Sequence, residues 1–233
     1  MKSKSRILAI IPCRKGSKRL KNKHILPING KPMFLWTLEM IEKSKLIDSW
    51  CISTDIKELL NHYGVIGRPK HLCTDKSPLD DTLRHIIQEE KKRGKEYDLV
   101  VMCHCNIPIR KEGEIDKLIK IALKNPEATS VVSGVEVSEP VEWQFERDKS
   151  NGTYYFRPYQ DDKFRKQDMP KRYNCDGAIQ VHRIDALIAG TGEAYSYFGD
   201  KIIIAPHEKR FSLEIDTQDD YDYVEYLMHK DNL

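Results

Sequence analysis

The chain has 233 residues, 39% hydrophobic and 32% charged, with a formal net charge of +3. That length predicts one or two domains with a substantial core, and the composition excludes the disordered and membranous classes. The longest clean apolar runs, Ile7 to Ile11 and Leu99 to Cys103, are far shorter than the roughly 20 residues of a membrane span. The N-terminal segment is also too poor in apolar residues for a secretory signal, so a cytoplasmic protein with no membrane partner is expected.

In chain order, Ile7 to Ile11 reads as a buried parallel strand, because both of its faces are apolar. A polar loop runs to about Lys31, and Pro32 then suits the first turn of a helix continuing through Lys45. Trp50 to Ser53 reads as a second strand, Asp55 as an N-cap, and Ile56 to Tyr63 as a helix. Leu79 to Lys92 is helical, Asp98 to Cys103 a strand, Glu112 to Lys124 a helix, and Thr129 to Val137 a strand. Strands joined through helices by short connections predict βαβ units: an α/β, three-layer, Rossmann-like fold with a mainly parallel sheet.

Residues 138–175 break this rhythm. They are polar and aromatic, with Trp143, Phe145, Tyr155 and Phe156 around a hairpin signal at Ser150-Asn151-Gly152. The core resumes with Ala178 to His182, Lys201 to Ala205 and a last helix from about Gln218 to His229. One domain, 1–233, carrying an inserted arm is the simplest organisation.

Charge is distributed unevenly. Residues 1–38 hold ten Lys or Arg and no Asp or Glu, which leaves −7 for the remainder. That asymmetry predicts a local anionic ligand. A nucleic-acid-binding arm is the rival reading, but such arms are less interrupted by apolar residues, and no nucleic-acid partner is expected. None of the six cysteines forms a CxxC pair. Cys103-His104-Cys105 sets three soft ligands side by side, yet alternate strand residues face opposite ways and zinc takes about four ligands. The cysteines are therefore expected as small apolar fillers.

In a doubly wound sheet, ligands sit at the carboxyl ends of strands, which directs attention to the loop after the first strand. It lacks both GxGxxG and GxxxxGK[ST]. What it offers is a small turn, Gly16-Ser17, among cationic side chains that include Arg14, Lys18, Lys21 and Lys23. This suits a polyphosphate, although a solvated basic loop would look the same.

The segment IPCRKGSKRLKNKHILPINGKP resembles the signature of the acylneuraminate cytidylyltransferase family, approximately IPARxGSKxxxxKNxxxxxGxP. Further blocks follow in family order: Ile52-Ser53-Thr54-Asp55, Arg68-Pro69, Pro108-Ile109-Arg110, Arg165 to Pro170, Gly177-Ala178-Ile179 and Leu213 to Thr217. The resemblance implies a CTP-dependent cytidylyltransferase that converts a 2-keto sugar acid to its CMP-sugar and releases pyrophosphate. It also implies a nucleotide-diphospho-sugar transferase type of fold and a homodimer with CTP and a sugar acid as its ligands. An alternative within the same fold is a nucleotidyltransferase that uses another sugar acid or a sugar phosphate, with either CTP or another NTP.

By that resemblance Arg14, Gly16, Ser17, Lys18, Lys21, Asn22 and Arg68 bind the nucleotide. Arg14, Lys21 and Asp216 are the catalytic set. Mg²⁺ is the implied cofactor, held by Asp216 and Glu214, which would share one face if Leu213 to Thr217 were a strand. Sugar contacts fall to His104, Asn106, Asp176 and, from the arm, Arg165, Lys166 and Arg172. Three of these depart from the family pattern: His104 replaces a glutamine, Asn106 a threonine, and Asp176 the asparagine of an NGA triplet. Asp176 is thus expected to set sugar choice.

Overall fold

In the computed structural model, which describes residues 5–62, 64–156, 165–191, 193 and 195–231, a seven-stranded sheet organises the chain. It opens with β1 (Ile7–Cys13), the small antiparallel pair β2 (Pro27–Ile28) and β3 (Lys31–Pro32), and α1 (Met33–Glu42). Then come β4 (Ser49–Thr54), β5 (Val65–Gly67), α2 (Leu79–Lys92), β6 (Leu99–Met102), α3 (Glu114–Lys124) and β7 (Ser130–Glu136). The hairpin of β8 (Phe145–Arg147) and β9 (Tyr154–Phe156) precedes β10 (Tyr173–Arg183). The chain closes with α4 (Ile184–Ala189), β11 (Ile202–Pro206) and α5 (Gln218–Lys230).

Across the sheet the order is β11-β7-β10-β6-β1-β4-β5. Neighbours are parallel except at β10, which runs against both β6 and β7. The alternation within β1 explains the layers. Ile7, Ala9 and Ile11 pack with Phe34 and Ile41 of α1 and Leu118 and Ile119 of α3. Leu8 and Ile10 face the other way, onto Leu83 and Ile86 of α2 and Leu187 of α4. Each fully buried Leu or Ile contributes about 1.5–3 kcal/mol, so this two-sided strand anchors the fold. The expected α/β three-layer architecture is the one adopted. No helix among the described residues is long and apolar enough to cross a membrane.

A third cluster positions the site. Val224 and Met228 of α5 pack with Leu20, Ile28, Met33, Ile109 and Ile215. This fastens the loop after β1 to the segment that precedes α5.

Several local expectations change. Among the described residues no α-helix forms between β4 and β5; a short 3₁₀ turn, Lys57–Leu59, stands there, and Tyr63 lies outside the described residues. Asp55 caps nothing and instead accepts a 2.6 Å hydrogen bond from the Lys15 backbone N–H. Pro32 sits just before α1 rather than inside it, and α1 ends at Glu42. β10 begins at Tyr173, earlier than expected, because its first half pairs with β7 alone before a bulge between Cys175 and Gln180. Leu213 to Asp216 is irregular rather than a strand. Thr217 caps α5 through a reciprocal capping box with Asp220, which leaves the Asp216 side chain to other work.

Candidate active site

The loop after β1 folds into a cleft of about 320 Å³ whose walls include Arg14, Gly16, Ser17, Lys18, Lys23 and Asp216. Its entry is set by Asn22, whose left-handed backbone (φ 54°) leads into a 3₁₀ turn at Lys23–Ile25. That turn swings Lys23 inward, where it meets Asp216 at 2.6 Å with its own side chain only 11% exposed. Arg19 also pairs with Asp216. On the opposite wall, Asp75 takes Arg14 at 2.9 Å and Lys18 at 2.6 Å. Hydrogen bonds from Lys18 and Arg14 hold the Asp75 carboxyl below the usual carboxylate range. Four cations thus face two carboxylates, a surplus suited to a polyanion that would exchange into these pairs.

The other expected nucleotide residues spread out. Lys21 and Asn22 are exposed and do not line this cleft. Arg68 is buried, donating to Ser53 Oγ (3.2 Å) and the Ser53 carbonyl (3.0 Å), so part of its guanidinium braces β4.

A second cleft of about 1080 Å³ adjoins the first, since Asp75 lines both. Its walls include His104, Asp176, Gly177, Tyr197 and Glu214. His104 follows β6, and its Nε2 is buried without a hydrogen-bond partner. Burial pushes its pKa down to about 4, so the ring is neutral near pH 7. Gly177 packs beside this ring with a φ of +74°, a left-handed backbone that favours glycine, although an added Cβ would meet the ring only at an ordinary contact distance of 3.5 Å. Beneath, Arg110 donates to the carbonyls of Ala178 (3.0 Å), His104 (2.5 Å) and Ile107, and to Thr37 Oγ1 (2.7 Å).

Asp176 differs from the expected free sugar contact. Its carboxylate accepts hydrogen bonds from Ser133 Oγ (2.6 Å), the Ala178 N–H (2.9 Å) and His207 Nε2 (2.5 Å). His207 also meets Glu114 at 3.2 Å, with every side chain of this triad under 10% exposed. Burial works against a charged imidazole, but Asp176 and Glu114 more than offset it and hold His207 at about 9. The Asp176 charge is therefore compensated from within, and the carboxylate acts first as a brace for the bulge in β10.

Glu214 and Asp216 also do not meet as a strand pair. Glu214 accepts from Asn106 Nδ2 at 2.7 Å and lines the second cleft, while Asp216 lines the first. Asn106 is further tied to this segment by a 2.8 Å bond from the Ile215 N–H to its carbonyl, so it positions the acids. On the arm, Arg165 pairs with Asp168 at 2.7 Å and Lys166 is exposed. Arg172 binds Glu142 at 2.9 Å, which ties down the arm's base. The side chain of Phe156 lies outside the described residues.

Asp75 and His207 had no role in the sequence reading, and Arg110 entered it only within the Pro108-Ile109-Arg110 block. Lys23 was legible as one more cation in the loop; the structural parts of the other three come from partners distant in the chain.

Comparison with known proteins agrees with this geometry. The family model described as "Cytidylyltransferase" matches residues 8–232. A pseudaminic acid cytidylyltransferase of Campylobacter jejuni is 26% identical, covering 94% of this chain and 95% of its own. A CMP-N,N'-diacetyllegionaminic acid synthase of Legionella pneumophila is 27% identical, covering 96% of each chain. Among solved structures, CMP:2-keto-3-deoxy-manno-octonic acid synthetase complexed with CTP superposes with a TM-score of 0.70 at 18% identity, over 97% of this chain and 100% of that one. With a strand-end cationic cleft, a neighbouring polar cleft and a match along nearly its full length, the chain belongs to the cytidylyltransferase family of nucleotidyltransferases.

Proposed function

We propose that the protein transfers CMP from CTP to an eight- or nine-carbon 2-keto sugar acid, releasing pyrophosphate. The observation that carries this reading is the abutment of the two clefts at Asp75: a cationic one sized for a triphosphate, and a larger mixed one beside an unpartnered imidazole. Arg14, Lys18 and Lys23 hold the triphosphate, with Gly16 and Ser17 bringing backbone close to it, and Lys21 and Asn22 close the loop's rim. Arg68 sits under the base. The sugar's anomeric hydroxyl attacks the α-phosphorus; an O–P bond forms as the hydroxyl proton is lost to solvent, the bridge to the β-phosphate breaks, and pyrophosphate carries away the electron pair. His104, being neutral, offers Nε2 to that hydroxyl and orients it. The cations stabilise charge that grows on the leaving group.

One carboxylate with substrate phosphates suits Mg²⁺, which keeps several waters and needs few protein ligands. Asp216, which lines the phosphate cleft, would hold it, with Glu214 approaching from the other side. A bound divalent ion supplies further neutralisation of the pyrophosphate. Arg19 and Lys23 now occupy Asp216 and exchange toward phosphate on binding.

The reading includes one domain with its arm at about 138–175, in a cytoplasmic homodimer. Trp143, Phe145, Tyr154 and Tyr155 are exposed aromatic rings on that arm, the kind enriched where subunits meet. In a dimer Arg165 and Lys166 would reach the neighbouring sugar site. Incubation with Mg²⁺, each of the four NTPs and a panel of keto-sugar acids, followed by mass spectrometry, tests the reaction. A CMP-sugar arising from CTP alone is expected; a product from another NTP or from a sugar phosphate would replace this reading with the alternative.

A further inference from the structure

The cysteines do not all behave as fillers. Cys51 and Cys103 are buried among apolar side chains, as expected. Cys13 and Cys105 border the same apolar cluster as Cys103, but they also meet each other, and His24 joins them: one ligand atom from each lies within 4.8 Å of the others, and all three residues are buried. The chain brings these together from the end of β1, the 3₁₀ turn of the phosphate loop and the segment after β6.

The imidazole is oriented for a metal. His24 Nδ1 lies 3.0 Å from the Arg14 carbonyl, an acceptor only, so Nδ1 carries the proton and Nε2 keeps its lone pair for the sulfur side. Metal-bound histidines characteristically have their second nitrogen fixed by such a carbonyl. Zn–S bonds of about 2.3 Å and Zn–N bonds of about 2.0 Å put tetrahedral ligand atoms roughly 3.5–3.8 Å apart, so the present spacing closes with small side-chain movements. Two thiolates would neutralise a divalent ion without another charged group. His24 also lines the phosphate cleft, which supplies the entry path.

We propose that Cys13, Cys105 and His24 form a site for a thiophilic divalent cation of the zinc class, with one coordination position left for an exchangeable ligand. It is distinct from the magnesium site, because Mg²⁺ requires oxygen donors. Binding releases two thiol protons to solvent. Its structural effect falls on the catalytic loop: Cys13 precedes Arg14 and His24 follows Lys23, so the ion would pin both ends of the segment that holds the triphosphate. This pinning rests on the assignment of that cleft to phosphate, whereas the metal site itself does not.

The test is metal content, measured without substrate. Reduced protein is equilibrated with Zn²⁺, desalted and assayed for zinc by elemental analysis, with Co²⁺ absorption as a readout of thiolate ligation. One zinc per chain and a cobalt–thiolate band are expected. Cys13→Ala and Cys105→Ala should each weaken binding by more than about 100-fold, beyond the 10–100-fold that loss of an outer partner causes. Cys103→Ala should retain the metal, which separates this cluster from the contiguous Cys103-His104-Cys105 run. Circular dichroism confirms that each variant is folded; should one alanine variant fail, the corresponding serine variant replaces it. No zinc in the reduced wild type, zinc unaffected by both cysteine changes, or a Cys13–Cys105 disulfide mapped by peptide mass spectrometry without reductant and no metal would each overturn the site. The last result would make the sulfurs a disulfide pair.

Discussion

The two clefts are built on opposite principles. In the cleft assigned to phosphate, Arg14, Lys18 and Arg19 are partly or largely exposed and are held by Asp75 and Asp216 in pairs that water can reach, Lys23 at 11% exposed being the exception among the four cations. Around the cleft assigned to the sugar several charges are locked, although Asp75 and Glu214 also line it: Arg110 is spent on carbonyls and Thr37, while His207 sits between Glu114 and Asp176. A polyanion can be bound by trading partners, since exposed ion pairs contribute only about 0–1 kcal/mol and are surrendered cheaply. A sugar, recognised through hydroxyl and amide geometry, needs a wall that does not move.

The sharpest way to break this contrast is to remove a locked charge. Arg110→Leu leaves buried carbonyls without donors and should cost about 3 kcal/mol or more, read as a fall in the urea midpoint. Arg110→Lys should recover only part of it, because an ammonium cannot span the same fork of acceptors.

His207 supplies the next effect and a pH signature. Its folded pKa of about 9 lies above the unfolded value, so its stabilisation is complete below about pH 6.5 and disappears as pH rises through 9. The full span corresponds to about 3 kcal/mol. His207→Asn should abolish this fall in melting temperature across the alkaline range; a wild-type protein equally stable at pH 6 and pH 10 would remove the ion triad from the account.

Predictions for the phosphate cleft are smaller in stability and larger in salt dependence. Arg14→Ala should weaken CTP binding by about 2 kcal/mol, roughly 30-fold, with little change in melting temperature, as calorimetry can measure. Asp75→Asn, by freeing Arg14 and Lys18, should tighten CTP binding several-fold at low ionic strength, and the gain should shrink in 0.5 M salt. Weaker binding in that variant would mean that Asp75 positions the cations more than it competes for them.

How much of this was legible in the sequence follows the same division. β1, α2, α3 and α5 announce themselves by unbroken or 3.6-residue apolar patterns, and their observed bounds differ from the reading by only a few residues. The cationic loop was legible because its charges are contiguous. The locked wall was not: Asp176 touches His207 and Ser133 across 31 and 43 positions, and no local pattern reports such pairings. Asp216 was read as half of a strand pair, since its spacing from Glu214 fits one; the irregular backbone there turns the two acids into different clefts. The Ile56–Tyr63 reading failed where four apolar residues at helical spacing had too little length and no cap to outweigh β5, which forms directly beside β4.

The reversed direction of β10 carries one last consequence. Two antiparallel neighbours need only a tight turn between them, whereas parallel neighbours require a crossover. β7 and β10 are such neighbours, so sheet closure makes no demand on the whole span from Val137 to Arg172. That span is a module hung on a hairpin: it can lengthen, shorten or be exchanged without rethreading a single strand. Its exposed rings are free to change with whatever they touch, while the register that sets His104 against Gly177 stays put.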